Sequence, residues 1–194
     1  MTQASNWTIR PCQPEDAIAI RDIIHEVMTD ICAVGPGFAI VDPEVDDIPA
    51  AYAGPRAAYF VVERDGEVLG GAGIGPLAEA DPSICELRKM YFLDALRGQG
   101  AGRPMLARCL DAARERGFRQ CYLETLPHLD AACHLYEQAG FRRIPASMGN
   151  TGHFGCNRFY LIDLRATIGD GRAGSQSAAP VQSPPRFTDL QDIP

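Results

Sequence analysis

The spacing of apolar residues changes along this chain, and that change restricts it to a sheet covered by helices. Ile20, Ile24, Val27 and Ile31 recur at helical spacing, whereas residues 58–63 and 68–74 read as strands. Asp65-Gly66 between those strands is a dipeptide suited to a two-residue hairpin. Pro14 suits the first turn of the early helix, and Glu15 and Asp16 suit its positive end. Asp42-Pro43 resembles an N-cap with a first-turn proline, opening a second, weaker helix to about Tyr52. Further on, residues 84–92 form a longer strand. A helix follows from about Gly100 to Arg116, then a strand at 120–124, a helix at 129–139 and a last strand at 157–164. With a strand at Trp7 to Arg10 and a short one near Arg142 to Ile144, the order is β-α-α-β-β-β-α-β-α-β-β. Helices alternating with strands imply an α/β domain with a mixed sheet.

The 194 residues suit one domain with an appendage. A domain of about 150 residues buries about 70% of its unfolded surface and needs no metal or disulfide staple. Residues 1–165 form that domain. Residues 166–194 are dominated by Gly, Ser, Ala, Gln and Pro and read as a disordered tail. No apolar run approaches the ~18 residues of a membrane span, and the start of the chain lacks an export signal. The expectation is a soluble cytoplasmic protein with no membrane partner. The seven cysteines, odd in number and without a C-x-x-C pair, read as reduced thiols. No paired ligand pattern supports a metal.

Net charge is −7, which argues against a nucleic-acid partner. Between Arg97 and Arg119, however, six arginines face only Asp111 and Glu115, a local excess that suits a small anionic ligand. Two glycine clusters compete for it. Gly169 to Gly174 matches G-x-G-x-x-G, but no helix can follow it, so the match is fortuitous. Arg97-Gly98-Gln99-Gly100-Ala101-Gly102 instead lies between a strand and a helix, where successive N–H groups can close around phosphate oxygens. Arg103-Pro104 stand where a Walker A motif needs Lys-Ser/Thr.

That loop resembles the R/Q-x-x-G-x-G/A signature of the GNAT superfamily of acyl-CoA-dependent N-acyltransferases. The resemblance extends upstream through Cys85-Glu86-Leu87-Arg88-Lys89-Met90-Tyr91-Phe92. Downstream it runs through Tyr122-Leu123-Glu124-Thr125 to Leu135-Tyr136-Glu137-Gln138-Ala139-Gly140-Phe141. It implies a single domain with a mostly antiparallel mixed sheet of six to seven strands and about four helices. It also implies acetyl-CoA as co-substrate, lying between the strands that begin near Ile84 and Gln120. Pantetheine would pair with the backbone of Met90, Tyr91 and Phe92, and Arg97, Gly98, Gln99, Gly100, Ala101 and Gly102 would wrap the pyrophosphate. One departure is Leu129, where many members carry Asn.

Acetyl transfer to an amine requires a base for the acceptor, donors for the oxyanion and an acid for the departing thiolate. By the resemblance Tyr136 matches the acid, and Glu86 and Glu124 are candidates for the base, with His128, His134 and His153 as alternatives. A covalent route through Cys133 lacks an adjacent base. The acceptor would sit between residues 35–52 and 148–158, where Asn150, Thr151, His153 and Asn157 offer polar contacts and Asp42 to Asp47 would favour a cation. The reading is transfer of an acetyl group to a primary amine of a small molecule in a ternary complex. A homodimer is left open as a further partner. The rival is a catalytically silent acyl-CoA-binding sensor, which would have no use for a thiol acid at Tyr136.

Overall fold

The structure is a computed structural model and describes residues 6–165; the tail assigned to residues 166–194 lies outside them. Seven strands form one sheet in the order β1-β2-β3-β4-β5-β7-β6. These are β1 (Thr8–Pro11), β2 (Ala58–Arg64), β3 (Glu67–Pro76), β4 (Ile84–Phe92), β5 (Gln120–Thr125), β6 (Arg142–Ile144) and β7 (Arg158–Asp163). All neighbours are antiparallel except β4 and β5. Arg64 pairs with Glu67 across Asp65-Gly66, so the hairpin closes at the expected dipeptide.

Helices cover both faces. α1 (Ala17–Asp30) buries Ile20, Ile23, Ile24, Val27 and Met28, packed with Val45, Ile48, Tyr59 and Val61. On the other face α3 (Gly102–Glu115) buries Met105, Leu106, Cys109 and Leu110 against Phe60, Ala72 and Leu87. Full burial of each such Leu or Met contributes about 1.5–3 kcal/mol. α4 (Asp130–Gln138) adds Cys133 and Tyr136 to that core. Gly70 permits close strand packing, since a Cβ there would meet the Phe92 ring and lie 2.6 Å from the Tyr91 carbonyl oxygen.

The early helix starts with a 3-10 turn at Pro14–Asp16. The expected second helix differs more. Pro43–Asp47 is a 3-10 turn, followed by one α turn, α2 (Ile48–Ala51). Asp47, rather than Asp42, caps that turn by accepting from the Ala50 N–H. The Asp42 carboxylate is committed elsewhere, to Lys89 and His153. No helix among the described residues is long and apolar enough to cross a membrane.

Candidate active site

β4 and β5 pair only from Ile84–Glu86 to Gln120–Tyr122. Beyond that contact β4 continues to Phe92 without a β5 partner, leaving one backbone edge of its second half open. The fork has a local cause. Gly71 faces Tyr91 while Gly73 faces Arg88, so β4 carries one extra residue there, a bulge that bends the strand. Lys89 in the bulge has φ +51°, a left-handed conformation that costs a side-chain-bearing residue about 1–2 kcal/mol. Tertiary contacts hold it. The Tyr59 hydroxyl donates to the Lys89 carbonyl (2.9 Å), and the ammonium, only 1% exposed, meets Asp42 and Glu44 (3.0 Å to the latter).

A cavity of about 830 Å³ fills the fork. Met90, Tyr91 and Phe92 line it along the open edge of β4, and Arg97, Gly98, Gly100, Ala101 and Gly102 line it at the start of α3. The backbone N–H of Arg97 is spent on Asp94 and that of Gln99 on Leu96. Those of Gly98, Gly100 and Ala101 have no backbone partner among the described residues, and the first turn of α3 adds those of Gly102 and Arg103. Gly98 and Gly100 have φ +73° and +79°, the left-handed backbone that recurs in anion-binding nests of successive N–H groups. A Cβ on either would meet nothing within 4 Å, so glycine serves the backbone conformation there. Gln99 stays off the cavity wall. Its amide donates to the Ala95 carbonyl (2.5 Å), and its oxygen accepts from Arg64 (3.3 Å).

Tyr136 reaches the same cavity from α4, stacked edge-on to Phe141. Burial raises its phenol well above the ordinary value. Glu86 and Glu124 also line the cavity, from β4 and β5. Glu86 accepts from Arg88 Nε at 2.7 Å, a partly buried ion pair tied on to the Pro76 carbonyl through Arg88 (2.6 Å). Glu124 accepts from the Tyr122 hydroxyl (2.7 Å) and Thr151 Oγ1 (3.0 Å). Its pKa is raised, because burial outweighs those two bonds.

His128 and His153 lie on the cavity wall, whereas His134 is turned to Gln138 (2.6 Å). Cys133 lies off the wall, with its Sγ 3.5 Å from Arg158. Asn157 also stands apart, but Cys156 lines the wall, and burial pushes its thiol up to about 12. A smaller recess of about 230 Å³ adjoins the cavity and shares Glu86, Arg88 and His153 with it. Asp42, Glu44, Asn150 and Thr151 form its remaining polar wall. Sequence reasoning placed Asp42 near the acceptor but missed Lys89 as the anchor of the bulge and the bonds of Asp42 to Lys89 and His153. Each is defined by contacts between segments distant in the chain, for which no local signal exists.

Known proteins are similar to this chain in sequence and fold. Residues 25–141 match the sequence profile of the Acetyltransferase (GNAT) family. The uncharacterized N-acetyltransferase YjgM of Escherichia coli K12 is 43% identical over 151 residues, covering 77% of this chain and 90% of that relative. The N-alpha-acetyltransferase RimI of Mycobacterium tuberculosis is 35% identical over 100 residues, which span 50% of this chain and 61% of RimI. The yncA structure from Salmonella typhimurium, solved with its cofactor acetyl-CoA, gives a TM-score of 0.69 at 25% identity, covering 87% of this chain and 100% of that one. With the matched profile spanning more than half the chain and the seven-stranded sheet forked at β4 and β5, the protein belongs to the GNAT family of acetyltransferases.

Proposed function

We propose that the protein transfers an acetyl group from acetyl-CoA to the primary amine of a small metabolite, by direct attack in a ternary complex. The observation that carries this reading is the two-ended cavity. One end offers unspent N–H groups beside Arg97, whose guanidinium also meets Asp94 and the Phe92 carbonyl, and the other opens on a recess where Asp42, Glu44 and Glu86 outnumber the cations Arg88 and Lys89 paired with them. The first fits a pyrophosphate and the second an ammonium. Met90 to Phe92 would hold pantetheine along the unpaired edge, and Gly98 and Gly100 to Arg103 the phosphates. When bound, acetyl-CoA supplies an acyl group activated as a thioester.

The chain's own residues then divide the work. Tyr136 moves a proton from its hydroxyl to the departing sulfur. Burial keeps the phenol protonated at neutral pH, and the same desolvation makes a thiolate beside it more basic. Glu124 and Glu86 give the acceptor end negative charge and hydrogen-bond acceptors. A recess of about 230 Å³ with a hydrogen-bonding wall suits a compact polar amine better than an extended peptide.

A thiol-release screen tests this, pairing acetyl-, propionyl- and succinyl-CoA with a panel of small amines and N-terminal peptides. Release with acetyl-CoA and a small amine is expected. Release with peptides alone would overturn the acceptor class. Tight CoA binding with no release from any amine would favour the silent sensor.

A further inference from the structure

We propose that His153 is the base that takes the proton from the acceptor amine, with Asp42 as the residue that positions its ring. The inference rests on the acetyltransferase reading above and adds to it the group that activates the acceptor.

Place comes first. Among the described residues, three line both the large cavity and the small recess, namely Glu86, Arg88 and His153. An acceptor seated in the recess must present its nitrogen past them to reach an acyl group in the cavity. Arg88 is a permanent cation and cannot serve as a base. Glu86 spends one oxygen on Arg88 Nε (2.7 Å), so protonating it would cost the partly buried guanidinium its short ion pair and leave it Glu44 at 3.7 Å. His153 is the remaining group at the junction.

Orientation follows from hydrogen bonding. His153 Nε2 lies 2.8 Å from Asp42 Oδ2. Burial alone would raise the Asp42 carboxyl, but the bond from His153 and the charge of Lys89 reverse this and hold it below the usual carboxylate range. An ionised carboxylate only accepts, so Nε2 must carry the hydrogen. Nδ1 is then the lone-pair nitrogen, and it has no hydrogen-bond partner among the described residues. Once Nδ1 gains a proton, the imidazolium faces Asp42, which stabilises it. Lys89 stands behind, with its ammonium on both Asp42 and Glu44. The Asp42–Lys89 pair thus makes the bulge of β4 part of the scaffold that fixes the ring.

The charged and titratable groups around this ring come from every neighbouring element. Asp42 and Glu44 belong to the turn before α2, Glu86, Arg88 and Lys89 to β4, Glu124 to β5, and Cys156 to the ring's own loop. Of these, Glu124 is the competitor for the role, because it too reaches the cavity. It accepts from Tyr122 and Thr151, both on Oε1, and it lines the cavity but not the recess in which the acceptor would sit.

The proton balance is complete. One N–H proton of the acceptor ammonium passes to His153 Nδ1, and the freed nitrogen lone pair forms the C–N bond as the C–S bond breaks. The Tyr136 hydroxyl proton goes to sulfur, and the second proton shed by the acylated nitrogen restores Tyr136. Solvent then accepts the proton on His153.

The test combines kinetics with an observation on the ligand-free protein. His153→Gln should lower kcat/KM at least ~10²-fold, the usual scale for a general base, and abolish the acidic limb of its pH profile. CoA affinity should be unchanged. In [15N]histidine-labelled wild type, the resonance that disappears in His153→Gln should show a protonated Nε2 and a bare Nδ1. Asp42→Asn should lose that tautomer preference and most of the rate while still folding, as judged by thermal melting. The base assignment is overturned if His153→Gln keeps its rate, if Glu124→Gln instead removes the limb, or if the wild-type ring is protonated at Nδ1. Absence of thiol release by wild type with every amine overturns the acetyltransferase reading itself, a result distinct from an active enzyme indifferent to His153.

Discussion

Gly100→Asp separates backbone strain from charge at the anion cradle. Gly100 sits at φ +79° with open space where a Cβ would stand. Any L side chain there costs about 1–2 kcal/mol of stability through the left-handed conformation, without a clash. Gly100→Ala carries this strain alone and should lower Tm by about 2–4 °C per kcal/mol. Gly100→Asp adds a carboxylate among the unspent N–H groups of Gly98, Ala101 and Gly102. A carboxylate about 6 Å from one phosphate charge is repelled by roughly 0.7–2.8 kcal/mol for an effective dielectric between about 80 and 20. Two phosphates nearby make a loss of at least ~1.4 kcal/mol, tenfold in Kd, the conservative expectation. Calorimetric titration of CoA into both variants measures it, and added salt should shrink the gap. Equal CoA affinity in Gly100→Asp and Gly100→Ala, both folded, would refute the phosphate site.

Tyr136→Phe should retain acetyl-CoA binding while kcat falls about 10²-fold; a change confined to KM in steady-state kinetics would assign the hydroxyl to substrate binding. Gly70→Ala forces a Cβ against the Phe92 ring and the Tyr91 carbonyl, so chemical denaturation should show a loss of about 1–3 kcal/mol. The Asp16 carboxylate accepts from Arg10 (2.7 and 2.9 Å) and the Gln13 N–H (2.7 Å), which hold its pKa below the ordinary value. A depressed carboxylate pKa stabilises the fold above the unfolded value of about 3.9 and loses that contribution as pH falls through the folded one. Asp16→Asn should therefore cost about 1–2 kcal/mol at pH 7 and progressively less below pH ~4, read from urea midpoints across pH. Ending the chain after Arg165 should leave Tm and CoA affinity unchanged; a fall of about 5 °C or more would show that residues 166–194 contribute to the fold.

What the sequence disclosed follows from how local each rule is. Asp65-Gly66 sets a hairpin by its own backbone preferences, and the strand-loop-helix around Gly98 and Gly100 is legible for the same reason. Alternation along a strand also puts Glu86 with Arg88, and Tyr122 with Glu124, on common faces, and both pairs are bonded in the structure. Asp42 shows where local rules fail. Asp42-Pro43 has the form of a helix start, yet its carboxylate is taken by partners 47 and 111 positions away. Once that side chain is committed, Asp47 becomes the cap and the helix shrinks to one turn. Lys89 is similar. Within 84–92 it reads as a strand residue, and only the charges of Asp42 and Glu44 reveal why a buried lysine occupies a left-handed bulge.

Backbone amide exchange with and without acetyl-CoA tests the central claim, that the fork between β4 and β5 and the loop before α3 hold the acyl donor. The account predicts that acetyl-CoA slows exchange at Met90, Tyr91 and Phe92 and at Gly98 and Gly100 to Arg103, while β1 and β2 are unchanged. Protection confined to other segments, or none at saturating acetyl-CoA, would contradict it.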